Sequence, residues 1–163
     1  MKIDKTQLTL RRASESDLDT LIDYRIIFLK DAYGNPSPEL EGGLKISLKK
    51  YFTTALKEGL YISWIAEYKD KPIGFSGMVI REQPGNFDIP NGKTGYILNI
   101  FTVNEFRKNG IASLLMNKLI EEGRERKLDR LELRATKDGE PIYRNIGFVE
   151  PHDLPMELDL RKL

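Results

Sequence analysis

The chain has 163 residues, 40% hydrophobic and 31% charged, the profile of one soluble globular domain, residues 1–163, long enough to bury a core. Its 26 Lys and Arg against 25 Asp and Glu leave a net charge of +1, so no global field draws it to nucleic acid or to an acidic membrane surface. It contains no cysteine, which excludes disulfides, thiolate catalysis and thiolate metal sites and suits a reducing cytosol. The start, Met1-Lys2-Ile3-Asp4-Lys5, is charged with no apolar signal core behind it. No run approaches the roughly 18 apolar residues of a membrane helix, so a cytoplasmic, soluble protein is expected.

Leu8-Thr9-Leu10-Arg11 alternates and predicts a first strand. Ser14-Glu15-Ser16-Asp17 has the spacing of a capping box, and Leu18, Leu21, Ile22, Ile26 and Leu29 then recur at helical intervals, predicting a helix to about Lys30. Tyr33 to Pro38 is turn-rich. A second helix fits 39–58, with Gly42 and Gly43 weakening its start, so mobility is expected over 31–43. Tyr61 to Tyr68 and Ile73 to Arg81 read as an antiparallel hairpin turning at Lys69-Asp70-Lys71-Pro72. A Gly- and Pro-rich loop covers 82–94, and Gly95 to Val103 is the fourth strand. After a basic turn, Ile111, Leu115 and Leu119 form one row of a helix ending near Lys127, with Ala112, Met116 and Ile120 beside it. Leu128, Leu131 and Leu133 mark a fifth strand, and a short helix over 140–145 stops at Gly147. Phe148-Val149 and Met156 to Leu160 read as two closing strands. The strand–helix–strand crossover over 95–134 implies a parallel pair and the hairpins antiparallel neighbours, giving a mixed α+β fold with helices on both faces of one sheet.

The chemistry concentrates in the turn Arg107-Lys108-Asn109-Gly110-Ile111-Ala112. A helix N-terminus leaves its first N–H groups unpaired and carries partial positive charge, which attracts phosphate. Gly110 lets a ligand approach the main chain, small Ala112 keeps the first turn uncrowded, and Arg107 and Lys108 add full charge. No GxxxxGK[ST] or strand-borne GxGxxG occurs. On spacing alone, a glycine-capped connection with solvated basic side chains explains the turn as well.

Arg107-x-x-Gly110-x-Ala112 after the fourth strand resembles the [RQ]-x-x-G-x-[GA] motif of the GCN5-related N-acetyltransferase (GNAT) superfamily. Tyr143-Arg144-Asn145-Ile146-Gly147-Phe148 looks like that family's Y-x-x-x-G-F segment, and Met156-Glu157-Leu158-Asp159-Leu160 like its last strand. The resemblance spans nearly the whole chain, with its specific part in 95–148. It implies a single GNAT-like domain whose fourth and fifth strands, the parallel pair, splay apart, and transfer of an acetyl group from acetyl-CoA to an amine. The main chain of Arg107, Lys108, Asn109, Gly110, Ile111 and Ala112 would cradle the pyrophosphate. That of Phe101, Thr102 and Val103 would pair with the pantetheine arm and polarise the thioester carbonyl. Asn104 stands where many relatives carry proline, which bears on rigidity. Thr136-Lys137-Asp138-Gly139 replaces a stretch in which some relatives place a CoA-binding asparagine, so that contact is not carried over.

Tyr143 occupies the position of the family's tyrosine near the CoA sulfur, and a phenol with a pKa near ~10 is protonated at neutral pH and can donate. As a structural residue it would instead pack the short helix onto the sheet. Asn99 stands where some relatives have glutamate; asparagine cannot serve as that base but can orient substrate or water, or simply hydrogen-bond at the strand edge. Glu39, Glu41, Glu82 and Asp88 border the expected acceptor side, where solvated surface charge is the simpler role of each. His152 is the only histidine, so no transition-metal site is expected, and Trp64, Tyr61 and Phe75 read as core. The leading expectation is an acetyl-CoA-dependent N-acetyltransferase working by direct attack in a ternary complex on a small-molecule or peptide amine. The other is a non-catalytic acyl-CoA-binding or sensing domain of the same fold. Dimers are frequent in the superfamily, and the resemblance leaves a homodimer open.

Overall fold

The computed structural model describes residues 2–162. In chain order its elements are β1 Leu8–Arg12, α1 Leu18–Tyr33, α2 Pro38–Lys57, β2 Tyr61–Ile62, β3 Trp64–Tyr68, β4 Lys71–Glu82, β5 Lys93–Thr102, α3 Ile111–Glu125, β6 Arg130–Leu133 and α4 Glu140–Ile146. They form one sheet in the order β1-β3-β4-β5-β6, with β2 continuing the line of β3 along β4. Every pairing is antiparallel except β5 with β6, which α3 joins as a parallel crossover.

Local chemistry explains the boundaries. Asp17 accepts from the Ser14 N–H at 2.8 Å ahead of α1, and Gly34 leaves that helix at φ +86°. Ser37 Oγ accepts from the Leu40 N–H at 3.3 Å and Pro38 opens α2, with Glu39 and Glu41 in its first turn. These signals outweigh Gly42 and Gly43, which lie inside the helix with open space around them. The expected weak stretch at 31–43 is therefore mostly helical, broken only at 34–37. Lys69 and Asp70, at φ +52° and +60°, make a two-residue hairpin turn, tighter than the expected four.

The sheet buries both faces. On one, α1 and α2 pack Leu21, Ile22, Phe52 and Ala55 against Tyr61 and Ile65. On the other, α3 packs Ile111 and Leu115 against Ala66 and Ile73, and Met116 and Leu119 against Ile62, Met78 and Ile97. Each buried Leu, Ile, Phe or Met among them contributes about 1.5–3 kcal/mol. Among the described residues no helix is long and apolar enough to cross a membrane.

Two departures matter. Met78 faces Ile97 while Gly77 faces Asn99, so Leu98 is an extra residue, a β-bulge. Pairing with β6 also stops at Ile97 and Leu133, whereas β5 stays paired with β4 through Thr102. The parallel pair thus parts at the bulge, and the edge of β5 over 98–102 is open.

The expected closing strands at 148–149 and 156–160 are not formed. Phe148 packs against the α3-side core, but Val149, Met156 and Leu158 are exposed. Pro151 and Pro155 interrupt the row of amide donors a ladder needs, and the segment buries too little apolar surface to offset the entropy of ordering it. Its tie to the sheet is an exposed ion pair between Arg134 and Glu157.

Candidate active site

Beyond β5 the chain makes a 3-10 turn over Asn104–Phe106 and then reverses through two left-handed residues, Lys108 at φ +64° and Gly110 at φ +81°. The Leu114 N–H reaches Gly110 O at 3.1 Å as the first bond of α3. The N–H groups of Ile111, Ala112 and Ser113 find no acceptor among the described residues. A Cβ on Gly110 would meet nothing within 4 Å, so the space before this concave row of amides is open. Asn109 braces the turn, donating to Phe106 O at 2.9 Å and Arg107 O at 3.2 Å and accepting from the Ile3 N–H at 3.2 Å.

Arg107 is not the free cation its sequence position suggests. Its Nε donates to Thr102 O at 3.0 Å, its Nη2 donates to Asp31 at 2.7 Å, and its guanidinium lies 5.7 Å from the centre of the Phe101 ring. The side chain ties the turn to the end of α1, and the exposed Lys108 keeps its charge for the surface beside the turn.

Of the three residues expected at the open edge of β5, only Thr102 turns its amide to it. The Val103 N–H bonds Ile73 O at 2.8 Å and Val103 O accepts from the Phe106 N–H at 2.8 Å, so its main chain is committed. Ladder groups alternate sides, so Phe101, two residues away and opposite Phe75, also turns its amide toward β4. The amides of Ile100 and Thr102 therefore face the gap. Ile100 was not among the expected residues, because its selection depends on a register that sequence does not encode. The Thr102 hydroxyl is buried without a hydrogen-bond partner among the described residues.

Asn99 is 2% exposed and points toward α1 and α2. Its Oδ1 accepts from Arg25 Nη1, and its Nδ2 donates to the Tyr61 hydroxyl at 3.4 Å. Both ends of its amide are thus in use, which favours the structural reading over substrate orientation. Tyr61 is core as expected, and burial pushes its phenol up to about 12. Tyr143 lies on the opposite face, packed against the cluster that includes Ile97 and Leu133, the last paired residues before the strands part. The structure therefore brings Tyr143 and Asn99 to the same level of the sheet but not to one face.

The second sequence motif has a packing explanation. Gly147, at φ +111°, turns the chain so that Phe148 meets Tyr143 edge to face at 6.0 Å. A Cβ on Gly139 would come within 2.9 Å of the Tyr143 ring. The Tyr143 hydroxyl has no hydrogen-bond partner among the described residues, and desolvation raises its pKa, so the proton stays on at neutral pH.

The candidate carboxylates are engaged elsewhere or exposed. Glu41 pairs with Lys30 at 2.6 Å and Lys45 at 3.1 Å, Glu82 pairs with Lys93 at 3.3 Å, and Glu39 and Asp88 are exposed. Trp64 donates to Glu122 at 3.3 Å within the core, and His152 is exposed. Among the described residues no group of His, Asp and Glu could hold a metal ion. Arg25 is the residue sequence reading passed over. The available signal was a charge inside an apolar helical row, four residues after Leu21 and four before Leu29.

A sequence profile of the acetyltransferase (GNAT) family matches residues 28–148. The chain is similar to a predicted acetyltransferase with acetyl-CoA from Clostridium acetobutylicum, at 29% identity over 96% of this chain and 98% of that one, with a TM-score of 0.87. It shares its fold with a GCN5-related N-acetyltransferase from Ralstonia eutropha, at 24% identity over 93% and 98% of the two chains and a TM-score of 0.82. It also shares it with an aminoglycoside N-acetyltransferase in complex with CoA, at 16% identity over 94% and 95% and a TM-score of 0.71. No curated protein is a significant match.

Proposed function

The chain belongs to the GNAT acetyltransferase family, and from that premise we propose that it transfers the acetyl group of acetyl-CoA to a primary amine by direct attack in a ternary complex. One observation carries the reading. The open edge of β5 and the unpaired amides of α3 lie at the two ends of a single run, 98–113, which suits a long ligand with an extended arm and an anionic end. Ile111 and Ala112 would hold the pyrophosphate through their N–H groups, with Arg107, Lys108, Asn109 and Gly110 shaping the turn. Ile100 and Thr102 would pair with the pantetheine arm, Phe101 and Val103 fixing their register from the β4 side. The open space at Gly110 fits such a ligand.

The donor supplies an activated acetyl thioester. The protein's part is to orient, polarise and manage protons. An open-edge amide at the head of the gap is available to the thioester carbonyl, where a hydrogen bond would stabilise developing negative charge. Tyr143 would give its phenolic proton to the departing thiolate. The amine's proton would pass to solvent water, directly or by way of a carboxylate. With no cysteine in the chain, a cysteinyl acyl-enzyme cannot form.

The test is thiol release from acetyl-CoA across an amine panel, with CoA affinity measured independently by calorimetry. Micromolar binding with acetylation of at least one amine is expected. Failure to bind CoA would remove the reading, and binding without turnover for any amine would favour a sensing domain.

A further inference from the structure

We propose that Arg25 recognises a carboxylate on the acceptor, so that the acetylated amine belongs to a compact molecule carrying both groups, an amino acid in the chemical sense. This rests on the acetyl-transfer reading above.

Arg25 is half-buried on the inner face of α1, beside the fully packed Leu21, Ile22 and Ile26. Seven other arginines each have a carboxylate partner, and the remaining three without one among the described residues, Arg81, Arg124 and Arg130, are exposed. Arg25 has none among the described residues. Its surroundings are the Phe28 ring, 5.6 Å from the guanidinium, and the tyrosines 33, 61 and 96. Burial consequently lowers its basicity, with no carboxylate to restore it. A desolvated, uncompensated guanidinium is costly, and an anionic ligand is the group that would compensate it.

Two of its three donor nitrogens are unused. Nη1 donates to Asn99 Oδ1 and, at 3.4 Å, to Leu98 O. Nε and Nη2 find no acceptor among the described residues and are not among the fully buried unpartnered atoms. Together they form the flat two-donor edge of arginine that matches a carboxylate. A residue needed only to brace the bulge would require Nη1 alone.

Position narrows the ligand further. Leu98 and Asn99 hold Arg25 and are also where β5 parts from β6. An anion on Arg25 and an amine entering the gap are thus anchored at the same two residues, so only a few bonds can separate them. Polycations such as aminoglycosides and polyamines would set a second positive charge against the uncompensated guanidinium, which disfavours them.

The experiment measures kcat/KM by thiol release for the protein amino acids, their carboxamides, spermidine and kanamycin, with acetyl-CoA affinity taken separately by calorimetry. At least one amino acid should exceed its carboxamide by about 10- to 100-fold, mostly through KM, the range for a charge-assisted pair. In Arg25→Gln that ratio should fall to within about twofold, Arg25→Lys should retain part of it, and acetyl-CoA affinity should be unchanged in both. Should Arg25→Gln fold poorly, the partial retention in Arg25→Lys carries the comparison. A wild-type ratio near one, a ratio insensitive to Arg25, or turnover confined to the polycations overturns the inference. Normal acetyl-CoA binding with no amino acid accepted also overturns it, whereas loss of acetyl-CoA binding by the wild-type protein overturns the donor reading instead.

Discussion

Gly77→Ala should destabilise the protein by crowding Asn99 and Tyr61. Gly77 lies opposite Asn99 across the β4–β5 ladder, and a Cβ there would come within 2.7 Å of Asn99 Nδ2, 2.9 Å of Tyr61 Cζ, and closer still to the Tyr61 hydroxyl. The Tyr61 ring cannot withdraw, because it is buried with its centroid 4.6 Å from that of Phe52. Overpacking of this kind costs about 1–3 kcal/mol. Displacing Asn99 also removes the partner of the buried phenol, a further ~1–3 kcal/mol. The two share a cause, so about 2–4 kcal/mol is expected in total. For a domain of this size that lowers Tm by roughly 5–15 °C. Thermal unfolding followed by circular dichroism reads the shift directly. Tyr61→Phe placed on Gly77→Ala removes the colliding oxygen and should recover more than half of it. A drop under about 2 °C, or no rescue by the second substitution, would refute the reasoning.

Three other predictions address the site and its support. Tyr143→Phe should lower kcat by about 10- to 100-fold, within the range of acid–base catalysis, with CoA affinity nearly unchanged; equal turnover at saturating donor would remove Tyr143 from the proton path. Gly110→Glu should weaken CoA binding at least tenfold in calorimetry, because it forces a side chain into φ +81° and sets a carboxylate before amides that attract anions. Equal affinity would put the phosphate site elsewhere. The Arg11 guanidinium, 2.8 Å from Asp17, holds that buried carboxyl below its ordinary value. A depressed native pKa contributes stability above the unfolded value, near ~3.9, and loses it as pH falls through the native one. Asp17→Asn should therefore flatten the decline of Tm below about pH 4, and parallel acid limbs in the two proteins would sink the assignment.

What sequence made legible was local. Helical rows such as Ile111, Leu115 and Leu119 announce themselves because a 3.6-residue period needs no knowledge of the partner surface. The turn at Gly110 was readable for a similar reason, since a left-handed residue opening a helix leaves a local signature. The expected strand at 156–160 failed for the opposite reason. Its alternation satisfies the pattern, but a strand exists only if an edge accepts it, and Pro151 and Pro155 work against that. Of Phe101, Thr102 and Val103, only Thr102 shares with Ile100 the side of the ladder that faces away from β4, because a period of two alternates the main-chain groups, and which parity faces the open edge depends on the partner strand.

The acceptor side was less legible because its information lies in a violation rather than a pattern. Leu18, Leu21, Ile22, Ile26 and Leu29 define the inner stripe of α1, and Arg25 falls inside it. Averaged over the helix, one charge hardly alters the amphipathic signal. Energetically it is the least ordinary residue on that face, since a half-buried guanidinium is compensated by an anion and no carboxylate of the described chain supplies one. The Leu98 bulge sharpens the point. One inserted residue turns both Leu98 and Asn99 toward α1, opens β5 to the donor side, and fixes Arg25 at the head of the same gap. Donor and acceptor recognition would then share a single backbone irregularity. A lesion there should raise KM for the amine and weaken CoA binding together, whereas Arg25→Gln should separate the two.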